Sequence, residues 1–278
     1  MPRGTLNIRK RILKNQSDIL MIHKNDHMEN NEAAPIIRGA FSTRVVSYIG
    51  TGTTKKKAIQ TFLYYGEENE DGDISLRPLN AQKVPQGDEQ IVSKDELLDS
   101  FSPELELYTN EVFPAMKKLG KILAKADRQR QLGNTFTAEM EYDRALDIDE
   151  CNIRANFGIG LCYLKRQDYD KAQDIFKRIV GLNAAFQKKH KHLFNEFGIS
   201  LRKSGMYSEA VEYYERALEF TDSDENLYFN LARAHAENGN YKNALTFVRK
   251  SLILDPDHES SLKLEKFLNY KIKSSKKS

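Results

Sequence analysis

Residues 194–217 read FNEFGISLRKSGMYSEAVEYYERA, and this stretch decides the fold. Its second half sets Ala210, Tyr214 and Ala217 at spacings of four and three, which places all three on one face of a helix. Small residues there let a neighbouring helix come close, and the ring between them fills the gap. Outward from this stretch the pattern recurs: Ala138, Ala172, Ala210 and Ala244 stand 34, 38 and 34 residues apart. Four residues after each come Tyr142, Phe176, Tyr214 and Val248, and three further on Ala145, Ile179, Ala217 and Ser251. A period near 34 predicts stacked helical hairpins.

The first half of the stretch repeats as well. Residues 156–163 (NFGIGLCY), 194–201 and 228–235 (YFNLARAH) align, with Gly160, Gly198 and Ala232 as the small residues where paired helices cross. A turn then carries Gly133, Gly205 or Gly239, and Gln167 is the exception. Glycine suits that turn because a helix commonly ends on a left-handed residue. Tyr169, Tyr207 and Tyr241 follow two residues later, with Thr135 in the first unit, and Asp255-Pro256 closes the last. The interval of 38 places four extra residues near Ala184–His192. Four residues are about one helical turn, so a lengthened helix is expected there.

These residues resemble the tetratricopeptide repeat signature, W-x2-L-G-x2-Y, then A-x3-F-x2-A, then P. The resemblance covers about 119–258, in units 119–152, 153–190, 191–224 and 225–258. It implies a mostly α fold: a right-handed solenoid of about four helix hairpins with a concave peptide-binding groove. The first unit departs from the pattern, with Lys125, Ala126 and Gln129 where apolar, small and aromatic residues belong. A capping helix is expected over 259–273, its apolar stripe made by Leu264, Phe267, Leu268 and Ile272, with a basic tail at 274–278. Lys266 at the next crossing position marks the end of the array.

In this family ligands lie along the inner face of the first helix of each unit. The matching positions here are Arg130, Arg154, Phe157, Leu161, Asn195, Ile199, Arg202, Asn230 and Arg233, with Lys165 and Lys203 beside them. Asp127 and Glu237 are the acids among them. The resemblance and this charge together point to a protein–protein interaction scaffold that holds an acidic or C-terminal-carboxylate peptide with an apolar anchor. The lysine–asparagine clamp of chaperone-tail-binding relatives is not reproduced. Reversing Arg202 and Arg233 to Glu is expected to abolish capture at unchanged helicity. An RNA- or nucleoid-associated adaptor using the basic tails, or a regulatory subunit of an enzyme complex, is the alternative.

The N-terminal third has a different character. Residues 1–35 read as a disordered basic tail, carrying Arg3, Arg9, Lys10, Arg11, Lys14 and Lys24. A flexible tail, or a native start at Met28, is expected rather than a nucleic-acid arm. Over 36–92 the β-branched and aromatic runs 44–49 and 59–65, a turn at 69–72 and a return at 74–79 predict a small β element. Such an element is too small to bury much core, so it is expected to pack on the helices. Ser93-Lys94-Asp95-Glu96 is a capping box, and Ser102-Pro103-Glu104 is expected to open a second linking helix within 93–118. Gly50-Thr51-Gly52-Thr53-Thr54-Lys55 lacks the phosphate-loop spacing and reads as a β-turn.

Composition bounds the rest. The chain of 278 residues is 40% apolar and 30% charged with a net charge of +3, which suits a surface-rich array and gives no basis for nucleic-acid binding. No apolar run is long enough to span a membrane, and two cysteines, Cys151 and Cys162, fit a reduced cytoplasmic setting. No catalytic constellation, metal-ligand spacing or cofactor motif is evident, so an adaptor with no cofactor and no small-molecule substrate is expected. His235, inside a helix, is expected to be packed core, and His190 and His192 a solvated helix end.

Overall fold

The computed structural model describes residues 37–49, 56–221 and 223–275. The basic tail with its alternative start and the 50–55 turn lie outside the described residues. The chain forms two compact units, one ending at Gly120 and one beginning at Lys121.

The first unit is a five-stranded antiparallel sheet with helical turns on its faces. β1 (Arg38–Ile49) pairs with β2 (Lys56–Glu68) along its whole length, from Arg38 opposite Glu67 to Ile49 opposite Lys56. The Asn69 side chain accepts the amides of Asp71 and Asp73, and Gly72 at φ +84° completes a turn into β3 (Ile74–Pro78). β4 (Gln90–Val92) extends the sheet beyond β3. Ser93 then caps α1 (Lys94–Ser100), its Oγ accepting the Glu96 amide at 3.2 Å. β5 (Ser102–Pro103) returns to pair with Phe41 and Ser42, giving the order β4-β3-β2-β1-β5.

Ser102-Pro103 is therefore an edge strand and not a helix start. Proline has no N–H to give a ladder, so an edge position is open to it. The helical path begins at Leu105, passes through a π turn at Tyr108–Val112, and becomes α2 (Phe113–Gln131). Pro114 explains the π turn: it cannot donate to the carbonyl four residues back, so the preceding turn is free to widen.

Alternation along β1 sends Ala40 and Phe41 to opposite faces. Phe41 joins Ile74, Leu76 and Val92 under Leu97 of α1. On the other face Ala40 and Tyr65 pack with Tyr108 and Val112 of the π turn. Strands β4 and β5 and these two helical covers give the sheet its own core. Past Thr43 and Leu63 the hairpin has no third strand among the described residues, and Val45, Val46 and Ile59 are exposed.

The second unit is an array of antiparallel helices. After α2 come α3 (Thr135–Leu146), α4 (Ile153–Arg166), α5 (Tyr169–Val180), α6 (Lys191–Lys203), α7 (Tyr207–Leu218), α8 (Glu225–Glu237), α9 (Tyr241–Leu254) and α10 (Glu259–Ser275). The even-numbered helices α4, α6, α8 and α10 lie side by side, and each is backed by the odd-numbered helix that follows or precedes it.

The repeated small and aromatic residues do the packing foreseen for them. Ala138, Ala172, Ala210 and Ala244 are fully buried, as are Tyr142, Tyr214 and Val248. A Cβ at Gly198 would sit 2.7 Å from the Tyr214 ring, and one at Gly160 would sit 2.6 Å from Phe197, so neither position admits a side chain. Gly133, Gly205 and Gly239 adopt φ near +80°, and Gln167 takes the same left-handed turn at φ 62°. Turn geometry is thus set by the array, and Gln167 follows it at a conformational cost.

The lengthened interval differs from expectation. Ten residues, 181–190, separate α5 from α6, whereas six, 147–152 and 219–224, fill the equivalent connections. The four extra residues do not lengthen a helix. Extended backbone at Leu182 stops α5, and two 3-10 turns, Asn183–Phe186 and Lys188–His190, are separated by extended Gln187. At the far end, Leu268 of α10 closes a core with Ala232, Ala244 and Val248, while Lys266 is exposed.

Candidate functional site

The first helices present their inner residues along one face of the second unit. Phe157 and Leu161 do not reach that surface. Phe157 is fully buried, its ring 5.6 Å from Phe197 in an edge contact, and Leu161 is buried beside it. Asn195, Ile199 and Asn230 are half-buried on α6 and α8.

The four arginines are already engaged within the chain. Arg130 of α2 donates to both oxygens of Glu196 on α6, at 2.6 and 3.4 Å. Arg154 pairs with Asp127, which also accepts the Tyr142 hydroxyl, and burial raises that phenol's pKa. Arg202 is 5% exposed and places Nη1 at 2.6 and 2.7 Å from the two oxygens of Glu237. Arg233 donates Nε to the same carboxylate at 3.1 Å. One guanidinium nitrogen shared between both carboxylate oxygens is a charge-assisted contact, and at Arg202 it compensates a charge withdrawn from water. The four arginines thus share three carboxylates, Glu196, Asp127 and Glu237, and all but the Arg233 pair join neighbouring helices. Arg202 is a structural residue. Its reversal to Glu would set carboxylate against carboxylate in a buried site, so that substitution cannot test binding at unchanged helicity.

A concave opening survives at the end of this face. Between α8 and α10 lies a cavity of about 500 Å³. Phe229, Arg233 and Glu237 line it from α8, and Lys263, Phe267 and Lys271 from α10. Phe267 was expected in the buried stripe of α10, yet it is 46% exposed. The Lys271 Nζ lies 5.6 Å from its ring centre. Spacing of four along α10 puts Lys263, Phe267 and Lys271 on one face, and that signal was present in the sequence. It was missed because α10, read as a terminal cap, was not read as the inner helix of one more unit.

Other titratable groups are placed by packing. His235 is buried, its ring stacked on Phe247 at 5.3 Å, with Nε2 lacking a hydrogen bond and Glu215 3.9 Å away. Burial lowers its pKa against the pull of Glu215. Burial also pushes the Cys162 thiol up to about 11, which keeps it protonated. Among the described residues no cluster of three or more His, Cys, Asp or Glu could hold a metal ion, and no helix is long and apolar enough to cross a membrane.

Residues 151–223 match the family model described as tetratricopeptide repeat, and residues 203–277 match that of anaphase-promoting complex, cyclosome, subunit 3. With the hairpin packing above, these matches identify residues 151–277 as tetratricopeptide-type repeats. Among curated proteins it is similar to the BBSome complex member BBS4 of Bos taurus, 24% identical over 131 residues, covering 47% of this chain and 24% of that one. The photosystem I assembly protein Ycf3 of Synechococcus sp. (strain CC9605) is 33% identical over 94 residues, covering 32% of this chain and 53% of that one. The chain thus spans about half the length, or less, of these relatives. The solved structure of MamA 41-end from Desulfovibrio magneticus RS-1 aligns with TM-score 0.45 and 18% identity, over 58% of this chain and 88% of that one.

Proposed function

We propose that this protein is a non-catalytic adaptor that holds a segment of a partner protein in the cleft between α8 and α10. One observation carries the reading: the inner face, whose four arginines are held in internal ion pairs, opens there onto exposed Phe267 beside Lys271, with Lys263 paired to Glu259 on its own helix. An exposed ring beside the Lys271 ammonium fits an apolar anchor next to a carboxylate, from an acidic segment or a chain terminus. Arg233 lines the cleft from α8 beside Phe229, and in this reading Asn230 on α8 with Asn195 and Ile199 on α6 extends the path of the bound segment. The similarity to an assembly protein and to a member of a multi-protein complex supports a role in holding proteins together. Two free thiols, with Cys162 buried, fit the expected reduced cytoplasmic setting.

The test is affinity capture from native lysate by the wild-type full chain and by a Phe267→Ala, Lys271→Glu variant. Both positions are on the surface, so circular dichroism spectra should coincide. The reading expects a partner that is lost with the variant and competed by an acidic peptide cut from that partner. Identical captured sets from the two proteins would overturn it.

A further inference from the structure

The four extra residues between α5 and α6 build a second cavity, which shares no lining residue with the α8–α10 cleft. The first 3-10 turn carries Phe186 back onto α7. Its ring stacks parallel to Phe220 at 5.3 Å and 7°, and meets Tyr213 and Phe194 at 5.6 and 5.9 Å. Arg216 lies over both stacked rings, 5.0 Å from Phe220 and 6.0 Å from Phe186, and donates to Asn183 Oδ1 at 2.6 Å. Two rings and a guanidinium therefore hold one another in place at the point where the shorter connections have no residue to offer.

Against this wall opens a cavity of about 440 Å³, within the range of small-ligand sites. Phe186, Phe194, Phe220 and Leu227 form its apolar side, and Phe220 is 44% exposed. Among the described residues the rim carries charge from three side chains, two of which cancel. Lys191 Nζ pairs with Asp224 Oδ2 at 2.7 Å, while Asp224 Oδ1 caps α8 by accepting the Leu227 amide at 3.0 Å. Glu225 accepts only the Asn226 side-chain amide, at 2.6 Å. Among the described residues it is the rim charge without an ion-pair partner.

The geometry points to a second binding site at this cavity, for an apolar or aromatic side chain of a partner protein segment whose neighbouring residue is Lys or Arg. The apolar side chain gains by leaving water against the ring wall. The adjoining cation answers the uncompensated Glu225 carboxylate, whereas an acidic neighbour meets repulsion there. This site selects the opposite charge from the α8–α10 cleft, so one bound segment does not satisfy both.

Two blocked dipeptides serve as probes: N-acetyl-Phe-Arg-amide and N-acetyl-Phe-Glu-amide, titrated into the isotope-labelled full chain and followed by NMR. The Arg probe should give saturable shifts at the amides of Ala217, Phe220 and Leu227. It should bind about threefold tighter than the Glu probe, the size of a partly exposed ion pair. That preference should vanish in Glu225→Gln, and both probes should fail with Thr221→Trp, which plugs the rim. Phe220→Ala, at an exposed ring, supplies a second variant should the tryptophan disturb folding. Phe267→Ala should change nothing here, which separates this site from the other cleft. No saturable shift at those amides with either probe would overturn the proposal. So would equal affinities of the wild type for the two probes, or shifts that depend on Phe267.

Discussion

Replacing Glu237 by Gln should destabilise the helical unit by about 2 kcal/mol, most of it through a residue on a different helix. Glu237 of α8 takes both Nη1 contacts of Arg202 on α6 and one from Arg233 on its own helix. Removing one member of a fully buried ion pair costs about 3–5 kcal/mol, because the other charge is left in a low-dielectric site. Arg202 meets that condition with its side chain 6% exposed, but Glu237 is 32% exposed, so water reaches one side and reduces the cost. The Arg233 contact, at an exposed side chain, adds about 0.5 kcal/mol at most. Urea denaturation of the full chain followed by circular dichroism measures the loss, and hydrogen exchange at α6 and α8 amides locates it. The decisive comparison is with Arg202→Met and the double variant. Removing both partners should cost less than Glu237→Gln alone, since no charge is then stranded. A loss below about 0.5 kcal/mol for Glu237→Gln, simply additive with Arg202→Met, would refute the reasoning.

Two further changes probe the array. Gln167→Gly should stabilise by about 0.5–1 kcal/mol, since the turn demands φ 62° and glycine takes it without a Cβ penalty; a loss of stability in urea denaturation would contradict this. His235→Phe should raise stability, and more at pH 5 than at pH 8. Burial lowers the folded pKa of His235 below the unfolded 6.5, so the unfolded chain binds more protons in that range. The wild type's full stability from this group is thus present above about pH 6.5 and falls away as the pH drops below it, and a variant with the same slope between pH 5 and 7 would count against a buried neutral ring.

The hairpin repeat was legible in the amino-acid sequence because it rests on local spacing. Ala210, Tyr214 and Ala217 share a helix face by the geometry of the helix alone, and Gly198 is small because another backbone must pass there. Three strands of the first unit were legible for the same reason, since β-branched runs and an Asn-Glu-Asp-Gly turn are local signals. Pairing is not local: β4 and β5 are three and two residues long, and only their partners make them strands. The candidate site divides along the same line. That α8 and α6 carry inner-face residues followed from the repeat register. Whether Arg202 or Lys271 is free to meet a ligand depends on which acid lies across the helix boundary, and no spacing within one helix reports that. The four inserted residues could be counted in the sequence. That they fold as two 3-10 turns and set Phe186 on Phe220 was decided only in the tertiary structure, because ring stacking brings together residues 34 apart whose geometry depends on where α5 stops and α7 ends.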